Sequence, residues 1–295
     1  MTNVNYIGEF GLIDLIRKQI PVGPKVARGI GDDTAVLFYS KNKYLLFTTD
    51  MMAEDVHFTR KMKPYQIGHK ALACNISDIA AMGGLPTFAV VSLGVPASLT
   101  VRFVEDIYKG MQALAKQFGV NIVGGDTIRS EKIIINVALL GEVEKKYLAT
   151  RDGARPGDWV FVSGPLGGSF KSGRHLSFIP RVTEARFLVQ NFKPSAMMDI
   201  SDGLAGDLNH MLKASKVGVK LDETLIPRHQ GITLKQALSD GEDFELLFSL
   251  SSLKAKKLLD WQEKTKRWFF YPMGQIVKDQ KKLMPVQSFT HFKSD

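Results

Sequence analysis

Residues 64–84 read Pro64-Tyr65-Gln66-Ile67-Gly68-His69-Lys70-Ala71-Leu72-Ala73-Cys74-Asn75-Ile76-Ser77-Asp78-Ile79-Ala80-Ala81-Met82-Gly83-Gly84. Ile67, Ala71, Cys74 and Ile79 supply an apolar side and the glycine pair supplies a stop, so the stretch predicts a helix over 64–82. On that helix Asn75 and Asp78 are three apart and share a face. Upstream, Tyr44-Leu45-Leu46-Phe47-Thr48-Thr49 predicts a buried strand with Asp50 at its end, and downstream Phe88–Val95 predicts a strand ended by Pro96.

The alternation continues outward in both sequence and type. Residues 100–118 predict an amphipathic helix, with Val104, Ile107, Met111, Leu114 and Phe118 as its stripe and Gly119 as its C-terminal cap. A short strand over 121–123 leads into Gly124-Gly125-Asp126, and another strand is expected over 132–140. At Thr150 the texture changes to the polar, turn-rich Arg151-Asp152-Gly153-Ala154-Arg155-Pro156-Gly157-Asp158. This places a domain boundary there, giving units 1–150 and 151–295. In the second, strands are expected over 159–163 and 244–250 and a helix over 204–214. The fold class is therefore α/β or α+β.

Composition narrows the function classes. The 295 residues are 44% hydrophobic and 23% charged, normal for a globular chain with a sizeable core. Cys74 stands alone, which excludes an intramolecular disulfide and a cysteine-based structural zinc site and fits a reducing, cytoplasmic setting. No apolar run reaches 18 residues, and Met1-Thr2-Asn3-Val4-Asn5 lacks a basic-then-apolar signal pattern, so a soluble, unexported protein is expected. The net charge of +9 invites a nucleic-acid reading. Its distribution argues against one: Lys254, Lys256, Lys257, Lys264, Lys266 and Arg267 interleave with Leu253, Leu258, Leu259 and Trp261, as on the wet side of an amphipathic helix. No zinc finger, helix-turn-helix signature or RNP aromatic motif occurs.

Five acidic clusters share one texture: Gly31-Asp32-Asp33, Thr48-Thr49-Asp50, Asn75-Ile76-Ser77-Asp78, Gly124-Gly125-Asp126-Thr127 and Asp199-Ile200-Ser201-Asp202-Gly203. Each carboxylate sits among Gly, Ser, Thr or Asn beside an apolar run, the pattern of element ends that offer oxygen ligands to a hard cation. Asp and Gly also mark ordinary turns and caps. Convergent carboxylates would raise one another's pKa, so Asp33, Asp50, Asp78 and Asp126 meet only if Mg²⁺ joins them. Several Mg²⁺ ions on oxygen ligands point to phosphate chemistry.

The usual nucleotide signatures are missing: neither a P-loop nor the protein-kinase motif set occurs. Gly164-Pro165-Leu166-Gly167-Gly168 follows a strand and reads either as a backbone cradle for phosphate or as a plain flexible loop. His57, in Glu54-Asp55-Val56-His57-Phe58, is open to a substrate contact or to a structural role. No His-Glu-x-x-His zinc spacing exists.

In this order the clusters resemble the thiamine-monophosphate kinase family, within the aminoimidazole ribonucleotide synthetase-like superfamily. The resemblance runs from Gly8-Glu9-Phe10 through the five clusters to Gly241-Glu242-Asp243-Phe244-Glu245-Leu246, nearly the whole chain. It implies ATP-dependent phosphorylation of thiamine monophosphate to thiamine diphosphate. The fold it implies is an N-terminal α/β domain whose sheet forms a β-barrel across a homodimer two-fold, followed by a C-terminal α+β domain with helices on a mixed sheet. By position it implies Mg²⁺ ligands at Asp33, Thr48, Thr49, Asp50, Asp78, Asp126, Asp199 and Asp202, of which Asp33, Asp50, Asp78 and Asp126 would serve catalysis. It implies ATP contacts at Tyr108, Gly125, Asp126, Arg151 and Ser201, and thiamine-side contacts at His57, Glu242 and an aromatic, Phe289 or the nearby Phe292. This chain departs from the family between Gly168 and His175, where the family carries a longer helical stretch.

The expected mechanism is direct in-line transfer. The acceptor is a phosphate monoester with a second pKa of about 6, already dianionic near neutrality, so no general base is required. The obstacle is repulsion between two anions, which aspartate-held Mg²⁺ would offset. Three rivals remain: another ATP-using member of the superfamily with a different acceptor, a two-metal phosphohydrolase, and a basic nucleic-acid-binding module.

Overall fold

The computed structural model describes residues 3–280; Phe289 and Phe292 lie outside them. The N-terminal half runs α1 (Val4–Gln19), β1 (Val26–Arg28), β2 (Ala35–Phe38), β3 (Lys43–Ala53), α2 (Pro64–Ala81), β4 (Leu85–Val95), α3 (Val101–Phe118), β5 (Asn121–Arg129) and β6 (Ile134–Glu144). The C-terminal half runs β7 (Trp159–Val162), α4 (Ser169–Ser172), α5 (Val182–Asn191), β8 (Ala196–Asp199), α6 (Leu204–Ser215), β9 (Gly218–Leu221), α7 (Leu234–Ser239), β10 (Leu246–Leu250), α8 (Ser252–Thr265) and β11 (Tyr271–Val277).

The first sheet has the order β1-β2-β3-β6-β4-β5 and is mixed: β4 and β5 pair in parallel across the α3 crossover, and every other pair is antiparallel. The second has the order β8-β10-β7-β11-β9 and is antiparallel in all its pairings, so the parallel character lies in the first sheet. Among the described residues no helix is long and apolar enough to cross a membrane.

α2 sits at the centre of the molecule. It packs on β3, β4 and β6 of the first sheet and meets β8 and α5 of the second half. Pro64 occupies its first turn, where a missing N–H costs nothing, and Gly83 leaves it in a left-handed conformation (φ 73°). Ile67, Leu72, Ile76 and Ile79 are fully buried; each such burial is worth roughly 1.5–3 kcal/mol. With so much apolar area committed, the polar residues Lys70, Asn75 and Ser77 on the same helix are carried into the interior with it.

Two strands differ from expectation. β3 does not end at Asp50 but continues to Ala53, because β6 pairs with it over its whole length. β5 extends beyond residue 123 to Arg129, so Gly124-Gly125-Asp126-Thr127 lies inside a strand held in register by β4. A Cβ at Gly125 would stand 1.9 Å from the Val91 carbonyl oxygen, which explains the glycine there.

Candidate active site

The acidic clusters are delivered by different elements to one place. Asp32 and Asp33 lie in the turn before β2, Asp50 on β3, Asp78 on α2, Asp199 at the end of β8 and Asp202 in the turn before α6. Asp33, Asp78 and Asp199 each bring a carboxylate oxygen within 4.8 Å of the others. Thr48 Oγ1 donates to Asp78 Oδ2 at 2.5 Å, and Ser77 Oγ donates to Asp199 Oδ2. Arg151 closes one side, its Nη2 on Asp33 Oδ1 at 2.5 Å and its backbone N–H on Asp32 Oδ1 at 3.1 Å.

Electrostatics reflects this crowding. Burial pushes the Asp33 carboxyl up, with the Arg151 guanidinium pulling it back. Burial, then Asp50, Asp199 and Asp33, push Asp78 well above the usual carboxylate range. Asp50 is pushed up to about 6 by burial and by Glu242, against Lys70. Asp199 rises to about 7 through burial and Asp33, and Asp202 to about 7 through burial and Glu9. Such a cluster stores unfavourable energy that a divalent cation would release. The donors fit one: the buried Asp33 Oδ2 and Asn75 Oδ1 have no hydrogen-bond partner among the described residues, and the set is all oxygen.

Next to the cluster opens a cleft of about 460 Å³ whose lining includes Asp50, His57, Lys70, Phe170, Ser201, Asp202, Glu242 and Phe244. His57 Nδ1 accepts from the Ala53 N–H at 3.1 Å, so the neutral ring carries its proton on Nε2. Glu242 is held in a left-handed conformation (φ 60°) with its N–H on the Ser201 carbonyl oxygen at 2.7 Å.

The structure thus brings together Asp33, Thr48, Asp50, Asp78, Asp199, Asp202, Arg151, Ser201, His57 and Glu242. It does not bring Asp126 to them. Register runs from Asp50 to Val137, from Val137 to Val91 and from Val91 to Gly125, three strand spacings away or about 14 Å. Asp126, one residue on, points to the opposite face and is exposed. The Thr49 side chain also turns to that face, onto Asn136 Oδ1 at 3.0 Å. Tyr108, on α3, packs against the hydrophobic core. The Gly164–Gly168 loop is tied down internally, with Asp243 Oδ2 accepting from the Gly167 N–H and Asp240 Oδ2 from the Gly168 N–H.

Several contributors were not singled out by sequence reasoning. Lys70 gave a readable signal, a charge three residues after Ile67 on the apolar side of a helix. Ser77 and Glu9 stand inside quoted motifs but carry no role of their own in the sequence reading, and Phe170 gives no signal; the tertiary fold points them at the site.

Fold and site define a class. Residues 31–143 match the N-terminal domain, and 169–283 the C-terminal domain, of the AIR synthase related proteins. The thiamine-monophosphate kinase of Aquifex aeolicus is 38% identical over 87% of this chain and 90% of its own length. That of Bacillus subtilis is 38% identical over 83% and 84%. A solved structure described as AaThiL complexed with AMPPCP and TMP superimposes with a TM-score of 0.87 at 34% identity, covering 99% of both chains. The chain belongs to the thiamine-monophosphate kinase family, and is an enzyme of the transferase class.

Proposed function

We propose that the protein phosphorylates thiamine monophosphate to thiamine diphosphate at the expense of ATP, by direct in-line transfer. The observation that carries this reading is the convergence of Asp33, Asp78 and Asp199 beside a cleft that also presents His57 and Glu242. It is supported by relatives named thiamine-monophosphate kinase and by a structural neighbour described as complexed with AMPPCP and TMP.

Asp33, Asp78 and Asp199, with Asp50 and Asp202 adjoining, would hold Mg²⁺, which supplies charge neutralisation between two anionic reactants. Arg151, anchored on Asp33, presents fixed positive charge to the triphosphate, and Ser201 borders the cleft beside it. His57 and Glu242 orient the thiamine portion, and no side chain needs to remove a proton from a dianionic acceptor. A domain division near residue 150 places the cleft between two units, each with its own sheet. The lone, buried Cys74 fits a cytoplasmic enzyme.

The same reading makes the protein a homodimer. The face of the first sheet turned away from α2 is apolar and open: Phe47, Met51, Phe88, Val90 and Ile128 are between 41% and 64% exposed. β2 pairs only with residues 44–47 of β3, leaving the outer edge of 48–53 without a strand, and β5 is the other terminal strand. Joining β5 of one copy to β3 of the next closes eight strands into a barrel and sets the strand bearing Asp126 in one copy a single spacing from the strand bearing Asp50 in the other, with Asp126 on the inner face and Asp50 on the outer.

Incubation with ATP, Mg²⁺ and thiamine monophosphate should yield thiamine diphosphate, with inversion at a chiral γ-phosphorus. Phosphate release without acceptor would favour a phosphohydrolase instead, and retention would require a phosphoenzyme.

A further inference from the structure

The Lys70 side chain is 1% exposed, yet its ammonium reaches the cleft. A lysine so deeply buried must be charge-paired or hydrogen-bonded to remain ionised. Lys70 Nζ lies 2.5 Å from Glu242 Oε2 and donates to the His57 carbonyl oxygen at 3.3 Å. One ammonium on α2 thereby ties the turn after β3 to the loop before β10, which comes from the other half of the chain. Both residues it holds border the cleft. The loop bearing Glu242 is strained: Gly241, Glu242 and Phe244 all have left-handed φ angles (69°, 60° and 51°). Non-glycine residues in that region cost about 1–3 kcal/mol each and persist where the surroundings hold them. The backbone bonds from the Glu242 and Phe244 N–H groups to Ser201 and Ile200 fix the loop, and the Lys70 ion pair fixes the carboxylate.

We propose that Lys70 is a positioning residue that aims Glu242 and the His57 turn at the thiamine portion of the acceptor, and so sets acceptor affinity rather than ATP affinity. This rests on the reading of the cleft as the thiamine monophosphate site. It does not require Lys70 to touch either reactant.

The test is a steady-state comparison of wild type, Lys70→Met, Lys70→Arg, Glu242→Gln and the double variant Lys70→Met/Glu242→Gln. Lys70→Met should raise the KM for thiamine monophosphate by about tenfold or more, the equivalent of ~1.4 kcal/mol, while the KM for ATP moves less than about twofold. Lys70→Arg should recover part of the loss. In the Glu242→Gln background the Lys70→Met change should add little, because the ion-pair partner is already gone and only the long 3.3 Å contact with the His57 carbonyl oxygen remains to be lost. Full additivity of the two substitutions, an equal rise in both KM values, or a folded Lys70→Met with unchanged acceptor KM would each overturn the assignment. Should Lys70→Met not fold, the ratio of the double variant to Glu242→Gln decides: near one supports the role and a further tenfold loss refutes it. Wild-type turnover of thiamine monophosphate reports separately on the functional reading.

Discussion

Asp126 gives the sharpest test of the assembled site. Within one copy it stands three strand spacings from Asp50, about 14 Å, and on the opposite face of the sheet. Two carboxylates that share a Mg²⁺ with bonds of about 2.1 Å must bring their oxygens to roughly 3–4 Å. The intramolecular separation is therefore several times too large, whereas a β5–β3 junction between copies is a single spacing of about 4.8 Å, across which a rotation of the adjoining Gly124-Gly125 pair would turn the Asp126 carboxylate to the Asp50 side. If Asp126 serves the site, it must serve the site of the partner. Asp50→Asn and Asp126→Asn should each be inactive alone. Co-expressed with two different tags and purified through both, they form a heterodimer in which one site carries both substitutions and the other carries none. That heterodimer should recover about half the wild-type rate, because one of two symmetric sites is intact. Were the two aspartates to act within one chain, each site would carry one lesion. A heterodimer no more active than its parents, with a dimer verified by light scattering, refutes the intermolecular placement.

Three further outcomes are expected. Asp32, Asp199 and Asp202, pushed up to about 7, keep protons in the fold that the unfolded chain has already released, so their stabilising contribution is present at low pH and is lost as pH rises through 7. His175 and His210, pushed down to about 4, act in the opposite direction only below their unfolded value near 6.5. Between pH 6.5 and 8 the metal-free protein should therefore lose about 2 kcal/mol, or ~4 °C in Tm, and saturating Mg²⁺ should abolish the slope; a flat metal-free profile in scanning calorimetry counts against the cluster. Val90→Asp, on the open apolar face, should leave a folded monomer without turnover; a catalytically competent monomer in light scattering would disprove the barrel. Ser77→Ala removes the donor to Asp199 and should raise the Mg²⁺ concentration for half-maximal activity by about tenfold at unchanged far-UV circular dichroism.

How much could be read from sequence depended on where each boundary is decided. α2 and α3 were legible almost to the residue, because their ends are local chemistry: Thr100 caps α3 through the Phe103 N–H, and Gly119 leaves it left-handed at φ 70°. The lengths of β3 and β5 were not, because strands end where their partners end, and the partners lie far away in sequence. α1 escaped notice; none of its residues is buried and Gly8 breaks it. The carboxylates were legible as candidate ligands from their Gly, Ser and Thr neighbours. Their grouping was not, since moving one residue along β5 sends Asp126 to the other face of the sheet, a distinction carried only by register.

The distribution of the site over the chain explains why its parts cost stability locally. Asp33, Asp50 and Asp78 come from the first half, Asp199 and Asp202 from the second, and burial penalises every one of them. Neither half gains by presenting such groups to its own core; each tolerates them because α2 and the first sheet already bury enough apolar surface to hold the geometry. A divalent cation at the shared seam would relieve that penalty. An anion that enters without a cation would meet carboxylates already crowded together, so a site of this kind gains from taking its cations and anions together. Metal-dependent binding is the behaviour this crowding favours, and the Lys70–Glu242 and Arg151–Asp33 ion pairs offset part of the negative charge at the seam.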